Sequence, residues 1–158
     1  MTAPVHGPTI IILAGPNGAG KTTISREVLA KTFGIGEFVN ADVIASGLSG
    51  FDPDRAAFAA GRIMLARLHE LAEARSSFAF ESTLASRTFA PWLVRQIAGG
   101  YEVHLVYSWL RSPELAVKRV RARVSKGGHN VPPEVVTRRY YRSLSNFGSS
   151  IARLQSDG

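Results

Sequence analysis

The eight residues Gly15-Pro16-Asn17-Gly18-Ala19-Gly20-Lys21-Thr22 constrain this chain more than any others, because they match the pattern G-x-x-x-x-G-K-[ST] in full. That pattern is a phosphate-binding loop only when it joins a strand to a helix, so that loop amides and helix N-terminal amides converge on phosphate oxygens. The flanks supply this context. Thr9 to Ala14 (TIIILA) is a β-branched, uniformly apolar run suited to a central parallel strand covered on both faces, and residues 21 to 32 have helical spacing. In such a loop the Lys21 ammonium reaches the β/γ-phosphates and the Thr22 hydroxyl holds a metal ion. The expected nucleotide contacts run from Gly15, Pro16, Asn17, Gly18, Ala19 and Gly20 through Lys21 and Thr22 to Thr23, with ATP and Mg2+ as the expected cofactors.

A length of 158 residues suits a single domain. Its apolar runs fall short of the roughly 20 residues a membrane helix needs. The leader MTAPVHGP has no basic residue and precedes too short an apolar stretch for a signal peptide, and the chain has no cysteine. A cytoplasmic location without membrane association is the resulting expectation. The net charge of +7 is unevenly spread. Residues 1–110 carry nine basic and nine acidic side chains, whereas 111–142 carry nine basic against Glu114 and Glu134 alone. A basic cluster confined to one segment suits a clamp on ATP and transferred phosphate, or a polyanion contact.

Two carboxylates fall at predicted strand ends. After the loop helix, Gly34-Ile35-Gly36 is a stop, and Glu37 to Asn40 reads as a second strand ending at Ala41-Asp42. Ligands of open α/β sheets lie beyond the carboxyl ends of the strands, so Asn40 and Asp42 are expected to face the phosphate loop. Asp42 also fits the N-cap of the next helix. A long helix from Pro53 to about Arg75 is predicted to bury Phe58, Ile63, Leu65, Leu68 and Leu71. Ser77 to Phe80 reads as a third strand with Glu81, Ser82 and Thr83 at its end, followed by a helix over 86–98 for which Thr83 and Ser86 compete as cap. Glu81 can hold a metal-bound water or a substrate hydroxyl, and with Thr22 it forms the candidate metal pair.

Tyr101 to Leu110 reads as a fourth, mostly buried strand, with His104 and Trp109 as packing residues. Ser112-Pro113-Glu114 carries the marks of a helix start. That helix places Arg119, Arg123 and Lys126 along one face and Arg121 nearly opposite. A turn-rich segment, Gly127 to Pro133, then leads to a helix carrying Arg138, Arg139 and Arg142. Two basic helices joined by Gly127-Gly128 read as a lid over about 111–142.

The ordered segments GPNGAGKTT, FVNADVIA, FAFESTLAS, YEVHLVYSWL with SPELAVKRVRARV, and GGHNVP with RRYYRSLSNF resemble the small zeta-toxin-like branch of phosphate-loop kinases. The resemblance covers roughly residues 9 to 147. It implies a three-layer α/β fold like that of nucleoside monophosphate and shikimate kinases, with a parallel sheet of about four or five strands. It also implies ATP-dependent phosphorylation of a hydroxyl, on UDP-N-acetylglucosamine in larger members, and the possibility of an antitoxin partner. By position, the resemblance matches Asp42 to the family's base and Glu81 to its third-strand acid, and its phosphate-stabilising arginines fall among Arg119, Arg123 and the arginines after the lid, with Arg138 and Arg139 as the candidates there. Small relatives continue into a further helix and a final strand, which the Ser-rich segment after Asn146 does not resemble. Residues 1–8 and 149–158 are therefore expected to be atypical or poorly ordered.

Together these readings predict a kinase in which Lys21, Asp42, Arg119 and Arg123 serve transfer. Asn40, Asp42, Glu81 and Thr83 would contact a small-molecule acceptor, and Arg138 and Arg139 the phosphates. A nucleic-acid-associated ATPase is disfavoured by the confinement of charge to the lid. A transporter-type ATPase is disfavoured because Gly47-Leu48-Ser49-Gly50 lies too near the loop to be its signature. A nucleotide-holding remnant without turnover stays open.

Overall fold

The computed structural model describes residues 7–128 and 130–156, so His129 of the GGHNVP segment and the first six residues lie outside the description. Ten elements follow one another: β1 (Thr9–Ala14), α1 (Lys21–Thr32), β2 (Glu37–Val39), α2 (Ala41–Leu48), α3 (Pro53–Glu73), β3 (Phe78–Ser82), α4 (Ala90–Ala98), β4 (Glu102–Tyr107), α5 (Pro113–Val124) and α6 (Pro133–Ser156). The four strands form one parallel sheet in the order β2-β3-β1-β4, with Ile10 opposite both Phe78 and Val103.

Strand alternation divides the core between the two faces of this sheet. Ile10, Ile12, Phe78 and Phe80 pack with Met64, Leu68 and Leu71 of α3 and Trp92 of α4, whereas Ile11, Leu13 and Ala79 pack with Leu29 of α1. The result is the expected three-layer α/β arrangement. It brings the carboxyl ends of β1, β2 and β3 to one edge of the molecule.

A separate apolar cluster (Leu110, Ala116, Val120, Val131, Val136 and Tyr140) joins α5 to α6. The basic helices are thus a packed pair with a core of their own. The pair is tied to β4 and the segment after it: Tyr140 Oη donates to Leu110 O at 2.7 Å, Tyr107 Oη and Ser143 Oγ are 2.9 Å apart, and Tyr107 stacks on Phe147 with centroids 4.1 Å apart. Helix α6 runs on past Asn146 to Ser156, so the Ser-rich segment is helical as far as that residue.

Several expectations fail for physical reasons. On α3 the buried residues are Ala56, Ala60, Met64, Leu68, Leu71 and Ala72, while Phe58 and Ile63 are exposed. The close approach of α2, where Ala45 meets Ala56 and Ala60, selects alanines rather than large side chains. Helix α4 begins at Ala90 rather than at 86, because Ser82, Thr83 and Ser86 each accept a bond from an amide two residues on and hold a loop over residues 83–89. Strand β4 pairs with β1 alone among the described residues, which leaves it half-buried and puts His104 at the surface beside Glu102. Trp109 is exposed rather than packed.

Candidate active site

Three backbone facts shape the phosphate loop. Gly15 adopts φ +143°, its amide donates to Ser82 O at 3.2 Å, and a Cβ there would lie 2.3 Å from Ser108 O. Only glycine lets the loop thread between the ends of β3 and β4. Gly18 at φ +81° lies against α5, where a Cβ would meet Ala116 O and Arg119 Cβ at 3.0 and 3.1 Å. Helix α1 then starts at Lys21 with no side chain capping its first turn, which leaves its leading amides for an anion.

Lys21 is buried, and its Nζ donates to Gly15 O at 2.8 Å and Pro16 O at 3.0 Å. Its Nζ is also 3.8 Å from Glu81 Oε1. Glu81 Oε2 accepts from Asn40 Nδ2 at 2.8 Å and from Thr22 Oγ1 at 3.2 Å. Burial lowers the Lys21 pKa, opposed by the Glu81 and Asp42 carboxylates. Burial likewise raises the Glu81 pKa, opposed by Lys21 and the Thr22 hydroxyl. Burial thus works against the charged form of each group while the charge of its partner works for it, a tension that a charged ligand or cation relieves.

Asn40 links this cluster to α2. Its Oδ1 accepts from the amides of Asp42 at 2.8 Å and Val43 at 3.2 Å while its Nδ2 serves Glu81. Asn40, not Asp42, is therefore the N-cap, and the exposed Asp42 carboxylate is left to the cleft. The preference of Asn for N-caps explains why this residue can both end β2 and start α2.

A cleft of about 670 Å³ collects these groups. One wall holds Asn17 to Thr23 with Asn40, Asp42, Glu81 and Thr83; the other is formed by Arg119 and Arg123 of α5 and Arg138, Arg139 and Arg142 of α6. Arg121 lines a different groove with Glu114 and Thr137, as its position on the opposite side of α5 predicts. Gly15 and Pro16 do not line the cleft, and contribute through the carbonyls that hold Lys21. Arg142, Ser86 and Phe89 line the cleft without having been singled out as site residues. The four-residue spacing from Arg138 would have found Arg142. Nothing in local pattern marks Ser86 and Phe89, which a loop places.

Thr22 and Glu81 offer a hydroxyl and a carboxylate beside the phosphate loop, hard oxygen donors of the kind that hold Mg2+ jointly with nucleotide phosphates. The donor set fits that ion, and no cluster of three or more His, Cys, Asp or Glu occurs among the described residues to suggest a fully protein-bound metal. No helix among them is long and apolar enough to cross a membrane.

A family model described as an AAA domain matches residues 10–147. An uncharacterized protein of Haemophilus influenzae is 30% identical over 130 residues, covering 82% of this chain and 91% of its own. Among solved structures, AvrRxo1-ORF1:-ORF2 with ATP is similar with a TM-score of 0.78 at 21% identity, covering 97% of this chain and 52% of that one. The PezAT chromosomal toxin-antitoxin system of Streptococcus pneumoniae gives 0.66 at 25% identity, covering 89% and 62%. Shikimate kinase from Acinetobacter baumannii in complex with shikimate gives 0.56 at 24% identity, covering 90% and 79%. The chain thus spans about half to four fifths of the length of these solved structures, and its α/β fold is that of phosphate-loop kinases.

Proposed function

The chain belongs to the AAA-domain family, whose phosphate-loop kinase-like fold implies nucleotide binding, and we propose that it is an ATP-dependent kinase of zeta-toxin type that phosphorylates a hydroxyl on a small metabolite. One observation carries the reading. A single cleft sets the Lys21 loop and the Asp42 and Glu81 carboxylates against five arginines, which is the distribution of charge that phosphoryl transfer requires.

Lys21 exchanges its bonds to Gly15 O and Pro16 O for β/γ-phosphate oxygens, and the uncapped amides of α1 bind phosphate along the helix axis. Thr22 and Glu81 would hold Mg2+, which would supply charge neutralisation at the β/γ-phosphates. Asn40 fixes the Glu81 carboxylate and the start of α2 together, so the metal pair and Asp42 keep a constant relation. Asp42 accepts the proton of the acceptor hydroxyl as its oxygen attacks the γ-phosphorus and the bond to the β-bridging oxygen breaks. Arg119, Arg123, Arg138 and Arg139 offset the charge spread over the transferring group. Phosphates and acceptor replace water between the two walls.

The acceptor belongs on the side bounded by Asn40, Asp42 and Thr83. A sugar nucleotide related to UDP-N-acetylglucosamine is the first candidate on the resemblance of the sequence segments to zeta-toxin-like kinases, and the similarity to a toxin-antitoxin system makes a protein antitoxin a candidate partner. Incubation with Mg-ATP and a panel of sugar nucleotides and metabolites, followed by mass spectrometry, tests the reading. A product carrying one added phosphate is expected. Bound ATP with no phosphorylated product from any acceptor would favour a nucleotide-holding protein instead.

A further inference from the structure

The loop over residues 83–89, which supplies Thr83, Ala85, Ser86 and Phe89 to the cleft, is not held by β3 and α4 alone. Leu84 sits in the left-handed region at φ +56°, a conformation a branched side chain does not favour, so an outside contact is needed to keep it there. Asn146 of α6 supplies that contact. Its Nδ2 donates to Leu84 O at 2.7 Å, and its Oδ1 accepts from Arg87 Nε at 2.9 Å, so one buried amide grips the loop at two points. Arg87 extends the grip to Ser149 Oγ at 3.4 Å, one helical turn further along α6.

The same helix carries the anion-binding arginines. Arg139, Arg142 and Asn146 follow at spacings of three and four, which puts them on one stripe of α6. Arg139 and Arg142 face the cleft, and Asn146 holds the opposite end of the acceptor wall. Any shift of α6 on phosphate binding would reach residues 84 and 87 through these bonds.

We propose that Asn146 and Arg87 are a positioning pair that couples phosphate engagement by the α6 arginines to the placement of the acceptor loop over residues 83–89. The proposal rests on the kinase reading of the cleft. It concerns how the acceptor side is assembled, and neither residue of the pair touches the reacting atoms.

Hydrogen-deuterium exchange of residues 83–89, with and without Mg-ATP, tests the coupling directly, with Mg-ATP affinity measured by calorimetry on the same samples. In the wild type, Mg-ATP is expected to slow exchange of the loop by about tenfold, the scale of a typical coupling between sites. Asn146→Ala and Arg87→Ala should bind Mg-ATP within about twofold of wild type yet lose this slowing, and Arg87→Lys, which keeps a donor to Asn146 Oδ1, should recover part of it. Arg87 is exposed, so its variants stay informative even if Asn146→Ala folds poorly. Slowing that persists in both alanine variants, or is absent from a wild type that binds Mg-ATP, overturns the coupling and leaves the kinase reading standing. A wild type that fails to bind Mg-ATP overturns both. Where an acceptor is known, the alanine variants should raise its KM about tenfold with the KM for ATP unchanged.

Discussion

Glu81→Gln separates the stability of the site from its chemistry. In the wild type the Glu81 carboxylate lies 3.8 Å from Lys21 Nζ, and at an effective dielectric of about 20 that attraction is about 4 kcal/mol. Glutamine forfeits it, yet it also ends the burial of a carboxylate, a penalty of several kcal/mol, and it can still accept from Asn40 Nδ2 and Thr22 Oγ1. The pKa directions decide the balance. Glu81 is held above its ordinary value near 4.5, chiefly by burial, so for this carboxyl desolvation outweighs the attraction of Lys21. A carboxyl raised in this way contributes stability that is fully present below its unfolded pKa and is lost as pH rises through the folded pKa. At pH 7 a neutral isostere should therefore leave stability without ligand within about 1 kcal/mol of wild type or slightly above it.

Nucleotide binding should respond in the opposite way. Mg-ATP at about 100 times its Kd stabilises the wild type by about 2.7 kcal/mol, a rise of roughly 5–10 °C in Tm for a chain of this size. If loss of the metal ligand weakens Mg-ATP tenfold, the same concentration stabilises Glu81→Gln by only about 1.4 kcal/mol. Thermal unfolding with and without Mg-ATP reads both quantities. Acidification should weaken Mg-ATP binding by the wild type from a pH above the ordinary glutamate range, because Glu81 takes up its proton early, and Glu81→Gln should lack that acid limb. A variant that loses more than about 3 kcal/mol without ligand, or that keeps the full Mg-ATP shift, would refute the reasoning.

Four further substitutions probe the frame. Lys21→Ala should weaken ATP binding by at least about a hundredfold by calorimetry, since no other cation shares its buried position in the loop. Gly15→Ala should destabilise by about 2–4 kcal/mol in urea unfolding, because its Cβ would lie 2.3 Å from Ser108 O at a φ of +143°. Asn40→Ala removes a cap and a partner of Glu81 together and should cost about 1–3 kcal/mol in thermal unfolding, whereas Asp42→Ala, which removes no cap, should cost under 1 kcal/mol.

The phosphate loop, the helix that follows it and the strand ends bearing Asn40 and Glu81 were legible in the sequence because each rests on local pattern. An apolar run, a glycine loop and a helical period need no tertiary information, and the concentration of arginines after Arg111 survives simple counting. Where neighbours decide, the reading failed. Phe58 and Ile63 look like core until α2 comes close enough to admit only Ala56 and Ala60. The start of α4 was misplaced because Leu84 takes a left-handed conformation supported from α6, 62 residues away from it in sequence. Asp42 fits the N-cap by residue type, and only the Asn40 bonds to the amides of Asp42 and Val43 show that the cap lies two residues earlier. Convergence of Arg142, Ser86 and Phe89 on the cleft likewise depends on how α6 docks against β4.

The central claim is that this cleft transfers phosphate to an acceptor hydroxyl, with Asp42 receiving the proton. It is tested most directly by measuring ATP binding and phosphate transfer side by side in wild type and Asp42→Asn, with the acceptor that the mass-spectrometric panel identifies. Transfer should fall by about 10²- to 10⁴-fold while ATP affinity stays within about twofold, as expected for loss of a positioned base outside the phosphate loop. Turnover near wild type in Asp42→Asn, or a parallel loss of ATP binding, would contradict the account.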